Sequence, residues 1–189
     1  MRYLGTLWLL LFLLPAYAQT KADSISQVFP KIIVLNDKQE ILLSFDSNRK
    51  AFEVPSIGTL DGPVSIKTHL DQVAAELGFI YSSFRMGGLF TYIFPNRYRT
   101  FIRPYFVVKF KGYKDGHALR DSSCKWFPVS AAIKMIPYPA SALIVQDIIK
   151  HPRNVRAATF EEYGYTNPLD TSKIRFRQLE DFYNLDASL

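Results

Sequence analysis

One cysteine, three histidines and no long uninterrupted apolar run each remove a class of protein from consideration. A lone Cys124 forms no intramolecular disulfide, so stability has to come from packing, and the thiol is expected to be buried or without a partner. His69, His117 and His151 are widely separated, and no pair has metal-ligand spacing. They are expected on a helix surface, in a loop and at a helix end. There is no Gly-x-Ser-x-Gly elbow and no histidine near Cys124, which leaves serine and thiol hydrolases without support. Internal repeats and low-complexity tracts are absent, and no nucleic-acid-binding motif accompanies the positive charge, so sequence-specific nucleic-acid binding is not expected.

The longest apolar stretch, from Leu4 to Leu14, follows Arg2 and precedes Pro15 and Ala16-Tyr17-Ala18. A charge, an apolar core and an A-x-A site in that order predict a cleavable signal peptide over residues 1–18 and export to a periplasm or the medium. The run is too short for a retained membrane span, so no transmembrane anchor is expected after cleavage. A polar linker over 19–27 follows, and the remainder is the size of one domain. The formal charge of +6 favours anionic partners such as phosphates, nucleotides or acidic glycans.

Along the chain, residues 28–35 and 40–45 are apolar, β-branched runs on either side of Asn36-Asp37-Lys38-Gln39, which predicts a hairpin. Residues 51–54 predict a short strand that Pro55 stops. From Val64 to Leu77 apolar residues recur at three- and four-residue spacings, predicting an amphipathic helix that Gly78 terminates. Residues 79–84, 89–94 and 100–111 predict three aromatic strands, the first two divided by Gly87-Gly88. An exposed loop over 114–123 and a strand over 125–129 follow. Ser130 is expected to cap one turn of helix, and Ser141 to cap a helix over 142–150. Residues 151–189 read as an extension packed on the domain, helical over 172–184.

This order of elements, with Glu53-Val54-Pro55-Ser56-Ile57-Gly58-Thr59-Leu60 before a helix ending Ala74-Ala75-Glu76-Leu77-Gly78-Phe79, resembles the Nudix family over residues 29–150. Ile41-Leu42-Leu43 and Lys125-Trp126-Phe127-Pro128-Val129 add to the resemblance. It implies an α/β fold of the α+β kind, a Nudix-like α/β/α sandwich with a mixed sheet over residues 28–150. The family signature is a glycine, five residues, a glutamate, seven residues, then Arg-Glu-apolar-any-Glu-Glu-any-Gly-apolar. Its glutamates hold divalent cations that bind a pyrophosphate and activate water. Aligned on Gly78, the last nine positions here are Asp71-Gln72-Val73-Ala74-Ala75-Glu76-Leu77-Gly78-Phe79. Glu76 alone survives of their three acidic positions; Gln72 and Ala75 replace two, Pro63 falls at the upstream glutamate, and the leading glycine is displaced to Gly58.

One carboxylate beside a glutamine amide is a weak substitute for a Mg²⁺ ligand set. The resemblance therefore implies a degenerate site: Glu76 and Gln72 at the catalytic positions, Glu76 as the remaining metal ligand, and no cofactor unless hydrolysis survives with Mg²⁺ or Mn²⁺. In the strands, Phe101, Arg103, Tyr105, Val107 and Lys109 share parity, which would set Arg103 beside Lys109. Glu53, Gly58, Arg85, Arg103 and Lys109 are the candidate ligand-binding residues, lining a cleft against the helix of Gln72 and Glu76. Binding of an anionic or phosphorylated small molecule is the leading expectation. A divergent hydrolase of nucleoside-diphosphate-linked compounds, helped by Glu53 or Asp71, and a non-catalytic protein-interaction module are the alternatives.

Overall fold

The computed structural model describes residues 27–47, 49–56, 60, 63–95, 100–116, 118–120 and 122–186. The expected signal peptide, the linker up to residue 26, Gly58 and His117 lie outside the described residues. Strands β1 (Gln27–Val28), β2 (Lys31–Leu35), β3 (Glu40–Asp46) and β4 (Ala51–Glu53) precede helix α1 (Ile66–Leu77). Then come β5 (Phe79–Ile93), β6 (Thr100–Tyr113), β7 (Cys124–Pro128), α2 (Val129–Met135), α3 (Pro139–Lys150), β8 (Arg156–Tyr163) and β9 (Arg175–Asn184). All nine strands join one mixed sheet in the order β4-β3-β2-β6-β5-β8-β9, with β1 also on β6 and β7 also on β3.

Helices cover both faces, and the burial of β2 shows why its sequence is apolar without alternation. Ile32 and Val34 pack with Leu70, Val73 and Ala74 of α1, whereas Ile33 packs with Ala132 of α2 and Ile144, Val145 and Ile148 of α3. A strand buried on both sides needs apolar groups at every position. Helix α1 starts where the Ser65 hydroxyl accepts the Thr68 N–H at 3.1 Å, and ends on Gly78 in the left-handed region at φ 80°. Among the described residues no helix is long and apolar enough to cross a membrane.

The hairpin falls where the sequence places it, the short strand expected over 51–54 covers 51–53 and the helix expected over 64–77 covers 66–77, and five local expectations fail. Gly87-Gly88 does not divide two strands; β5 runs through it with a register shift between Met86 and Gly88. A Cβ on Gly87 would strike Ile148, and one on Gly88 the carbonyl of Arg156, so the glycines let α3 and β8 approach β5. Ser130 is not a cap, because α2 begins at Val129 with Pro128 before it. Ser141 is not one either, since α3 begins at Pro139, whose fixed φ suits the first helical turn. His69 is buried at 6% exposure rather than on the helix surface. The expected helix over 172–184 is a 3₁₀ turn, Thr171–Lys173, followed by β9. Residues after Lys150 thus add two strands to the sheet, and Ala158, Phe160 and Ile174 to the core against α3.

Candidate functional site

The glutamate and glutamine of the box-like helix both point to solvent near the C-terminal end of α1. Asp71, on the same helix, is committed elsewhere: it accepts from Lys67 Nζ and from Tyr81 Oη, each at 2.6 Å. Those two bonds hold its carboxyl below the usual carboxylate range. Glu53 does not face Glu76; its Oε1 accepts the Val54 N–H at 3.0 Å and its Oε2 lies 3.8 Å from Lys31 Nζ, on the sheet face opposite α1. Among the described residues no three His, Cys, Asp or Glu side chains gather closely enough to hold a metal ion. The Mg²⁺ or Mn²⁺ that the resemblance implies needs several charged oxygens at once, and the described residues around Glu76 do not fit it.

Arg103 sits on the other face of the sheet, shared with Phe101 and Tyr105 as strand alternation requires. Its guanidinium carbon lies 4.0 Å above the Tyr92 ring. Across the sheet β8 supplies Glu162, which has the parity of Ala158 and Phe160 but is a carboxylate only 1% exposed. Gly164, at φ 85°, turns the chain where any Cβ would collide with the carbonyl of Lys173, and brings Tyr165 back over Glu162. The Tyr165 hydroxyl donates to Glu162 Oε2 at 2.6 Å. Nearby, Tyr105 Oη and Ser141 Oγ are 3.2 Å apart, which gives Ser141 a role inside α3 in place of the expected cap.

The electrostatics bind these groups into one cluster. Burial opposes the charge on Arg103, but Tyr92, Tyr105, Glu162 and Tyr165 more than offset it and hold the guanidinium protonated. Burial pushes the Glu162 carboxyl upward, and Arg103 and the Tyr165 hydrogen bond pull it back. The Tyr92 phenol is pushed up to about 12 by burial. Burial lowers the Lys31 ammonium against the attraction of Glu53. Glu53 and Arg103, both singled out from sequence, are therefore brought together through Lys31.

Lys109 and Arg85 are brought together at a different place. Lys109 is six residues along β6 from Arg103, about 20 Å of extended strand, so the expected pairing of Arg103 with Lys109 does not form. With Asp37, 3.7 Å from Lys109 Nζ, the two line an open groove of about 380 Å³ at the tip of the β2–β3 hairpin. Arg85 there donates to its neighbour's carbonyl, Met86 O, at 3.0 Å. The single cleft expected between α1 and the basic strands is thus two separate places, with Gln72 and Glu76 in neither. Sequence reasoning missed Glu162, Tyr165 and Lys31. Its one usable signal was a carboxylate standing at the apolar parity of Ala158 and Phe160.

No protein-family model and no curated protein sequence matches the chain significantly. Solved structures do match its shape. The mutator MutT protein from Bacillus halodurans superposes with a TM-score of 0.60 at 17% identity, over 79% of this chain and 97% of that one. A NUDIX hydrolase from Nitrosomonas europaea gives 0.53 at 15% identity, over 67% and 90% of the two chains. The E. coli ORF135 protein gives 0.50 at 17%, over 68% and 91%. An architecture held in common at so few identical positions is a likeness of fold: the chain is a Nudix-like α/β/α sandwich.

Proposed function

We propose that this chain is an exported Nudix-fold domain that binds an anionic or phosphorylated small molecule through Arg103, with metal-dependent hydrolysis reduced or lost. The observation that carries the reading is the transfer of charge from one face to the other. The helix that should gather carboxylates presents Glu76 with Gln72 and Ala75, while the opposite face holds a half-buried guanidinium over an aromatic ring. A divalent ion beside one carboxylate is weakly held, whereas a guanidinium partly withdrawn from water is a strong, directional partner for an oxyanion.

The test is a panel of nucleoside diphosphates and inorganic phosphate, with and without Mn²⁺. At least one compound should raise the melting temperature without turnover, and Arg103→Ala should remove that rise relative to its own baseline. Mn²⁺-dependent phosphate or monophosphate release that disappears in Glu76→Gln would instead establish the hydrolase reading and overturn this one.

A further inference from the structure

Arg103 and Glu162 each leave a buried polar atom unsatisfied. Among the described residues Arg103 Nε and Glu162 Oε1 lack a hydrogen-bond partner, and both lie on the face that carries Tyr92 and Tyr105. Folded chains leave few such atoms, and each one costs about 1–3 kcal/mol. A donor and an acceptor left open on one face mark a place where other polar groups belong.

The chemistry of those atoms restricts what can complete them. Arg103 offers only donors, and an ionised Glu162 only acceptors. Lys31 and Glu53 balance each other at 3.8 Å, and Arg103 and Glu162 attract each other as a second set of opposite charges. A bare oxyanion on Arg103 would bring a second negative charge toward Glu162 and leave Oε1 unfilled. A bare ammonium on Glu162 would do the converse to Arg103 Nε. Only a molecule carrying both groups completes both atoms without adding net charge to a water-poor site, where unpaired charge is most expensive.

We infer that the site takes a small zwitterion: an oxyanion, such as a carboxylate, on the Arg103 Nε–H, and an ammonium or other N–H donor on Glu162 Oε1. The inference rests on the reading of Arg103 as the anchor for an anionic group and narrows it.

The test titrates ¹⁵N-labelled full-length mature chain with glycine, β-alanine and γ-aminobutyrate, whose two charges are set at increasing separation. Propionate and propylamine serve as the one-charge controls. Binding is read from the Arg103 Nε–H resonance and the melting temperature. One of the amino acids should bind at least about tenfold more tightly than either control, a difference of about 1.4 kcal/mol. Glu162→Gln should erase that advantage and tighten propionate, because the negative charge near its carboxylate is gone. Propionate binding as tightly as every amino acid, or an advantage that survives in Glu162→Gln, overturns the zwitterion while leaving the anion-binding reading intact. If no probe or phosphate moves the Arg103 resonance, both fall. Should Glu162→Gln fail to fold, the ranking of the five probes on the unmutated chain decides the matter alone.

Discussion

Replacing Arg103 by methionine removes a charge while keeping much of the apolar stem that packs on Tyr92. Glu162, at 1% exposure, would be left with its Tyr165 hydrogen bond and the weaker attraction of Lys31. Removing one member of a buried ion pair costs about 3–5 kcal/mol. The lower end, about 3 kcal/mol, is expected at neutral pH, because Arg103 is only half-buried and Glu162 can relieve itself by taking up a proton. For a chain of this size that corresponds to a drop of about 6–12 °C in melting temperature. The penalty should shrink as pH falls, since protonated Glu162 no longer needs the guanidinium. Urea unfolding at several pH values on Arg103→Met, Glu162→Gln and the double variant measures it as a double-mutant cycle. The double variant should recover most of the loss. A cost below about 1 kcal/mol, or one that simply adds in the double variant, would refute the coupling of these two residues.

Two further outcomes follow from the same contacts. The Glu162 carboxyl is raised above its ordinary 4.5, so its contribution to stability is complete below that value and is lost as pH rises through the folded value; Glu162→Gln should flatten this stretch of the stability curve, and an unchanged slope above pH 4.5 would be contrary. A chain ending at Lys150 loses Phe160 and Ile174, both fully buried, and uncovers Phe90 and Tyr92, so it should lose cooperative unfolding altogether; a sharp melt by calorimetry within a few degrees of the whole chain would contradict that.

Elements whose burial is set by near neighbours were legible: the β2–β3 hairpin, α1 with its Gly78 stop, and the shared face of Phe101, Arg103 and Tyr105. The tail was not, because β9 carries register shifts against β8 around Thr159. Extra residues in a strand break its alternation, so Phe176, Leu179 and Phe182 fall three apart and imitate a helix. Gly87-Gly88 reads as punctuation because nothing local reveals that Ile148 and the Arg156 backbone will press on it. The site suffered from both effects. Arg103 was visible by its charge, whereas Glu162 belonged to a segment whose strand character rests on pairing with β5, some seventy positions earlier in the chain.

Gly164 and the turn it makes have a bearing on biogenesis. Polypeptides emerge from the ribosome in sequence order, and here Arg103 appears well before the carboxylate that attracts it. Every growing chain shorter than Glu162 therefore holds that guanidinium with Tyr92 and Tyr105 but without this carboxylate. The closing strands act as a completion check, and a chain cut or stalled before them has a reason, written into its charge, not to settle.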